Sequence, residues 1–138
     1  MCLDGASRAG VELLSSVSHS DLRVYFAWTP MLPADGEAAA GMAAGPILDV
    51  RAAHYWDGER HLASLMGAAL GIRESESIPL GHGVGAAWDV YLAYGRGGAA
   101  DIGKPAFWMH QLGVVHAPRL DVEDWRRRVE GLLDSGAL

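Results

Sequence analysis

Ala87-Trp88-Asp89-Val90-Tyr91-Leu92-Ala93-Tyr94 and, after a glycine turn, Phe107-Trp108-Met109-His110-Gln111-Leu112-Gly113 are the two segments that decide the fold. In the first, Trp88, Val90, Leu92 and Tyr94 recur at every second position, the spacing that places side chains on one face of a strand. The second has the same aromatic and apolar density. Gly95-Arg96-Gly97-Gly98 turns the chain between them, so the pair predicts an antiparallel hairpin with a long tip.

Upstream, residues 60–70 place Leu62, Leu65, Met66, Ala69 and Leu70 on one helical face, with Gly71 where a C-terminal cap belongs. Residues 49–56 read as a strand ended by the Asp57-Gly58 turn signal. Residues 34–47 predict an alanine-rich helix capped by Asp35, with Ala38, Met42 and Ile47 facing inward. Leu22, Val24 and Phe26 alternate with Arg23, Tyr25 and Ala27 in a first strand that runs into Trp28-Thr29-Pro30-Met31-Leu32-Pro33. Residues 73–85 read as a polar, glycine-rich connection. Downstream, Asp121 caps a closing helix that groups Val122, Trp125, Val129, Leu132 and Leu133, while Arg126, Arg127 and Arg128 face water. Residues 1–20 form an N-terminal arm or short helix, and residues 21–138 form the domain.

Composition sets the outer bounds. The 138 residues are 50% hydrophobic and 20% charged, enough apolar material for one buried core. Eleven Lys and Arg against seventeen Asp and Glu leave a net charge of −6, which argues against nucleic acid as a partner. No apolar run is long enough to span a membrane, and residues 1–10, with Asp4, do not read as a secretory signal. The one cysteine, Cys2, excludes an internal disulfide and points to a cytoplasmic setting.

The order strand, helix, strand, helix, strand, strand, helix over residues 21–133 resembles the thioredoxin-like fold. That resemblance implies an α/β βαβαββα three-layer sandwich, with a mixed four-stranded sheet between helices and an N-terminal extension. Redox-active members carry Trp-Cys-x-x-Cys where this chain has Trp28-Thr29-Pro30-Met31-Leu32, so Thr29 and Leu32 stand at the cysteine positions. His54-Tyr55-Trp56-Asp57, Ala87-Trp88-Asp89-Val90-Tyr91 and Phe107-Trp108-Met109-His110-Gln111-Leu112 are also similar to segments of a group of uncharacterised bacterial proteins. The chain thus looks like a branch without the redox motif. Thiol–disulfide exchange needs an attacking and a resolving thiol, and their lack argues against oxidoreductase activity. The family's proline ahead of the third strand is also missing, because Pro79 lies too far upstream of Trp88 and Ala87 takes its place.

Two classes of function stay open. Trp28, Trp56, Trp88 and Trp108 fall at or near the ends of the four predicted strands, where open sheets bind ligands. A module for a small molecule or a protein partner, without a cofactor, would use Trp28, Thr29, Pro30, Met31, Trp56, Asp57, Trp88 and Asp89. The same tryptophans also suit core filling, Asp57 a turn, and Pro30-Met31 the start of a helix and a plug in the core. The second class is an enzyme or metal-dependent protein that gathers His54, Asp57, Asp89 and His110. No two of the six histidines have the i, i+4 spacing of a zinc helix, and no metal site is assigned. Gly81-His82-Gly83-Val84-Gly85 precedes a strand, so it lacks the helix N-terminus that a phosphate loop needs. The three consecutive arginines lie among Glu123, Asp124 and Glu130 and read as a solvated face.

Overall fold

The computed structural model describes residues 6–96 and 101–135. Cys2 and the Gly97-Gly98 part of the predicted turn lie outside the described residues. In chain order, a π-helical turn (Ser7–Val11) runs into α1 (Glu12–Ser16), followed by β1 (Val24–Trp28), α2 (Glu37–Ala44) and β2 (Ala52–Trp56). Then come α3 (His61–Ala69), a short 3₁₀ turn (Glu74–Glu76), β3 (Pro79–Gly81) and β4 (Val84–Gly85). The chain closes with β5 (Val90–Ala93), β6 (Phe107–His110) and α4 (Val122–Asp134). No helix among the described residues is long and apolar enough to cross a membrane.

The strands pair as three separate two-stranded sheets, and the expected four-stranded mixed sheet of a thioredoxin-like sandwich does not form. β1 and β2 run parallel, β3–β4 is a small antiparallel hairpin, and β5–β6 is the antiparallel hairpin that the alternation predicts. One reason for the difference lies in β1. An interior strand of a three-layer sandwich is apolar on both faces, but here only Phe26 and Trp28 are buried. Tyr25 and its β2 neighbour Tyr55 are 67% and 58% exposed on the other face, so helices cover β1–β2 on one side only. A second reason lies in the connection. Residues 79–85 build a hairpin around His82 and Gly83, whose positive φ values suit a tight two-residue turn. Asp89, at φ +51°, then bends the chain just before Val90, so the third strand starts later than its aromatic pattern suggests.

Among the described strands, only β5–β6 is sandwiched. Tyr91, Ala93, Phe107 and Met109 face Trp125 and Val129 of α4 together with Ala9, Leu13 and Val17 of the N-terminal segment. Val90, Leu92 and Trp108 face Met66, Leu70 and Ile72. Asp121 caps α4 as its position predicts, its Oδ1 accepting the Asp124 N–H at 2.9 Å. At the end of α3, the Gly71 N–H donates to Ala68 O and the Ile72 N–H to Gly67 O. This pair of bonds is a Schellman cap, and the φ of +67° at Gly71 is what makes glycine suit it. β4 crosses so close to α3 that a Cβ on Gly67 would collide with the Gly85 carbonyl.

The N-terminal segment is docked. Besides its share of the α4 core, it places Leu14 against the cluster of Phe26 and Trp28. The Arg51 guanidinium donates to the Leu14 and Val17 carbonyls at the end of α1. Asp49 holds that guanidinium at 2.7 Å, and hydrogen bonds from Arg51 draw the Asp49 carboxyl down to a pKa of about 2.

Candidate functional site

In a parallel pair, residues in register point to the same face. β1 and β2 align Phe26 with His54 and Trp28 with Trp56, so one face of this small sheet carries four rings. Phe26, Trp28 and His54 lie with nearly parallel planes, the Phe26 and His54 centroids 4.8 Å apart. α2 crosses this face. It packs through Ala40, Ala43 and Ala44, while Met42 is 76% exposed, not inward as its spacing from Ala38 suggests. Only the smallest side chains let a helix backbone approach a layer of indoles. Asp35 does not cap α2 either, because its carboxylate accepts the Met31 and Leu32 N–H groups, both at 2.9 Å.

Between α2 and the C-terminal ends of β1 and β2 remains a cleft of about 200 Å³, walled by Trp28, His54, Trp56, Glu37 and Gly41. The Trp28 Nε1–H donates to His54 Nδ1 at 3.2 Å. An indole nitrogen only donates, so Nδ1 must accept and the proton of the neutral imidazole sits on Nε2. That Nε2–H is buried and has no hydrogen-bond partner among the described residues. A buried donor left unpaired costs roughly 1–3 kcal/mol.

The residues singled out in the sequence are divided among three places. Trp28 and Trp56 line the cleft. Thr29 and Asp57 tie the end of β1 to the start of α3: Thr29 Oγ1 donates to Asp57 Oδ2 at 3.4 Å, which also accepts the Ala63 N–H at 3.0 Å. The Asp57 N–H in turn donates to the Trp28 carbonyl at 2.8 Å. Half-buried Pro30 leads into Met31, which is buried with Ala63 and Ala86 and fills space as a plug does. Trp88 packs against that plug and against the Leu70 and Ile72 cluster, its indole N–H buried without a partner among the described residues. Asp89 sits at the base of the β5–β6 hairpin, where its carbonyl accepts the Gln111 N–H at 3.0 Å.

His54 lies on β2 and His110 on β6, strands of two different sheets. His110 is fully buried on β6, with Nε2 bonded to the Ala117 carbonyl at 2.9 Å and Nδ1 accepting the Leu112 N–H at 3.0 Å. Among the described residues, no three His, Cys, Asp or Glu side chains stand close enough to hold a metal ion. A wider groove of about 400 Å³ between the end of α1 and α4 is lined by Val17, His19, Glu130, Leu133 and Asp134. Among the described residues, it has neither a Trp, Tyr or Phe wall nor an unpaired buried donor.

Comparison with protein-family models, curated proteins and solved structures finds no match to this chain. The thioredoxin-like resemblance therefore gains no relative to support it. Sequence reasoning reached Trp28 and Trp56 but not Glu37 or Gly41, and it placed His54 in a different site. The signal for His54 was present, since it lies two residues before Trp56 and shares its strand face. Nothing local marks Glu37 or Gly41, whose role depends on where α2 crosses the sheet.

Proposed function

We propose that this chain is a binding module for a small molecule, with the ligand held in the cleft between α2 and the ends of β1 and β2. The observation that carries the reading is the unpaired Nε2–H of His54 beside an aromatic-walled opening. Binding sites commonly combine apolar walls with one or two fixed polar groups, as Trp28, Trp56 and His54 do here. At about 200 Å³ the cleft is smaller than the ~300–1,000 Å³ typical of drug-sized ligands, which favours a ligand of few atoms. The single cysteine supports a cytoplasmic setting, and the net charge of −6 supports a partner other than nucleic acid.

Gly41 allows a clean test. A Cβ built there meets nothing within 4 Å, so Gly41→Leu fills the mouth of the cleft from a position already helical. Leucine is also the better helix former, and the variant should be about 1 kcal/mol more stable than the parent. Saturation-transfer NMR with small carbonyl- and hydroxyl-bearing fragments should find binders of the wild type that the Gly41→Leu variant excludes. Fragments that bind both proteins alike, or no binder at millimolar concentration, would refute the module.

A further inference from the structure

We infer that the ligand of this cleft is a small ammonium compound with a neutral oxygen acceptor a few bonds from its nitrogen; the inference rests on the binding-module reading. The charge of the lining points to a cation. Among the described residues that wall the cleft, Glu37 is the one that carries a formal charge at neutral pH, and no Lys or Arg joins it. A carboxylate or phosphate ligand would meet Glu37 with no compensating cation. Glu37 also lies in the first turn of α2.

The aromatic walls point the same way. An ammonium group is attracted to the face of an indole, most strongly where water is excluded. Trp28 is buried and Trp56 half-buried at the cleft, so both bring indole surface into a partly desolvated setting. The Nε2–H of His54 adds the second requirement. It is a donor, so it needs an oxygen acceptor on the ligand and offers nothing to the ammonium itself. A hydroxyl or carbonyl meets that need without bringing negative charge near Glu37.

Choline carries both features and serves as the probe. Titration of the wild-type chain, followed by saturation-transfer NMR, should show saturable choline binding that Gly41→Leu abolishes. The neutral isostere with carbon in place of the quaternary nitrogen should bind about tenfold more weakly. Tetramethylammonium, which lacks the oxygen, should also bind more weakly than choline, and Glu37→Gln should weaken choline more than the isostere. Equal binding of choline and its isostere, unchanged by Glu37→Gln, would overturn the ammonium assignment and leave the cleft as a binding site. So would neutral fragments that Gly41→Leu blocks when choline does not bind at all. Absence of binding by choline and by every fragment would overturn both.

Discussion

Trp28 gives its one polar hydrogen to Nδ1 of His54, and that single bond sets which side of the ring remains a donor. The neighbouring Phe26 holds the imidazole from a ring plane only 15° away, so the orientation is fixed by stacking as well. A labelled imidazole ¹⁵N spectrum should therefore show the neutral His54 ring with its proton on Nε2. Trp28→Phe removes the donor and should let the Nδ1–H form appear beside it. A wild-type ring protonated mainly on Nδ1 would mean that Trp28 does not make this bond. Residue by residue, the sequence was most legible where a side chain acts on its immediate neighbours. Asp121 as a cap, Gly71 as a helix stop and the inward turn of Phe26 and Trp28 all depend on a few adjacent positions. Met31 as a plug was legible as one of two readings, whereas Asp57 as a tie to α3 was not read at all, because each depends on what lies across the chain.

Among the elements, β5–β6 and α4 follow from period and capping, whereas the stretch between α3 and β5 does not. Its glycines read as a loose connection, yet Arg73, Glu76 and the β3–β4 hairpin make it an ordered support beneath the α3 terminus. The Arg73 side chain donates to Glu76 Oε1 at 2.7 Å and its backbone N–H to Oε2 at 2.9 Å. These bonds, the side-chain bond first, hold the Glu76 carboxyl at a pKa of about 2 against an ordinary 4.5. Because the folded value is the lower one, the contribution is complete above pH 4.5 and is lost as pH falls toward 2. Urea midpoints should thus place Glu76→Gln below the wild type at neutral pH, with the gap closing between pH 4.5 and 2. A gap that stays constant over that range would show that the carboxylate charge does not support the hairpin. The facing of α2 was hidden for a related reason. Ala38 and Met42 form as good a helical stripe as Ala40 and Ala44, and only the indoles beneath decide in favour of the smaller pair.

Across the whole molecule, two-stranded sheets are marginal on their own and each needs a helix or a second layer to hold it. Here α4 and the N-terminal segment brace β5–β6 on one face and α3 on the other, while α2 covers one face of β1–β2 and leaves the cleft at its edge. The four-stranded expectation failed because element order alone does not say which strand edges meet. The exposed face of Tyr25 and Tyr55, and the bend at Asp89, decide that question. The division into separately braced sheets makes ligand binding a local event. A ¹H–¹⁵N spectrum of the labelled chain, with and without a fragment that Gly41→Leu excludes, tests this most directly. The account predicts shifts at the Trp28 and Trp56 indole N–H groups, at His54 Nε2–H and along residues 37–44, with the Trp125 indole unmoved. Shifts centred on β5–β6, or on the groove between α1 and α4, with the His54 signal unchanged, would contradict it.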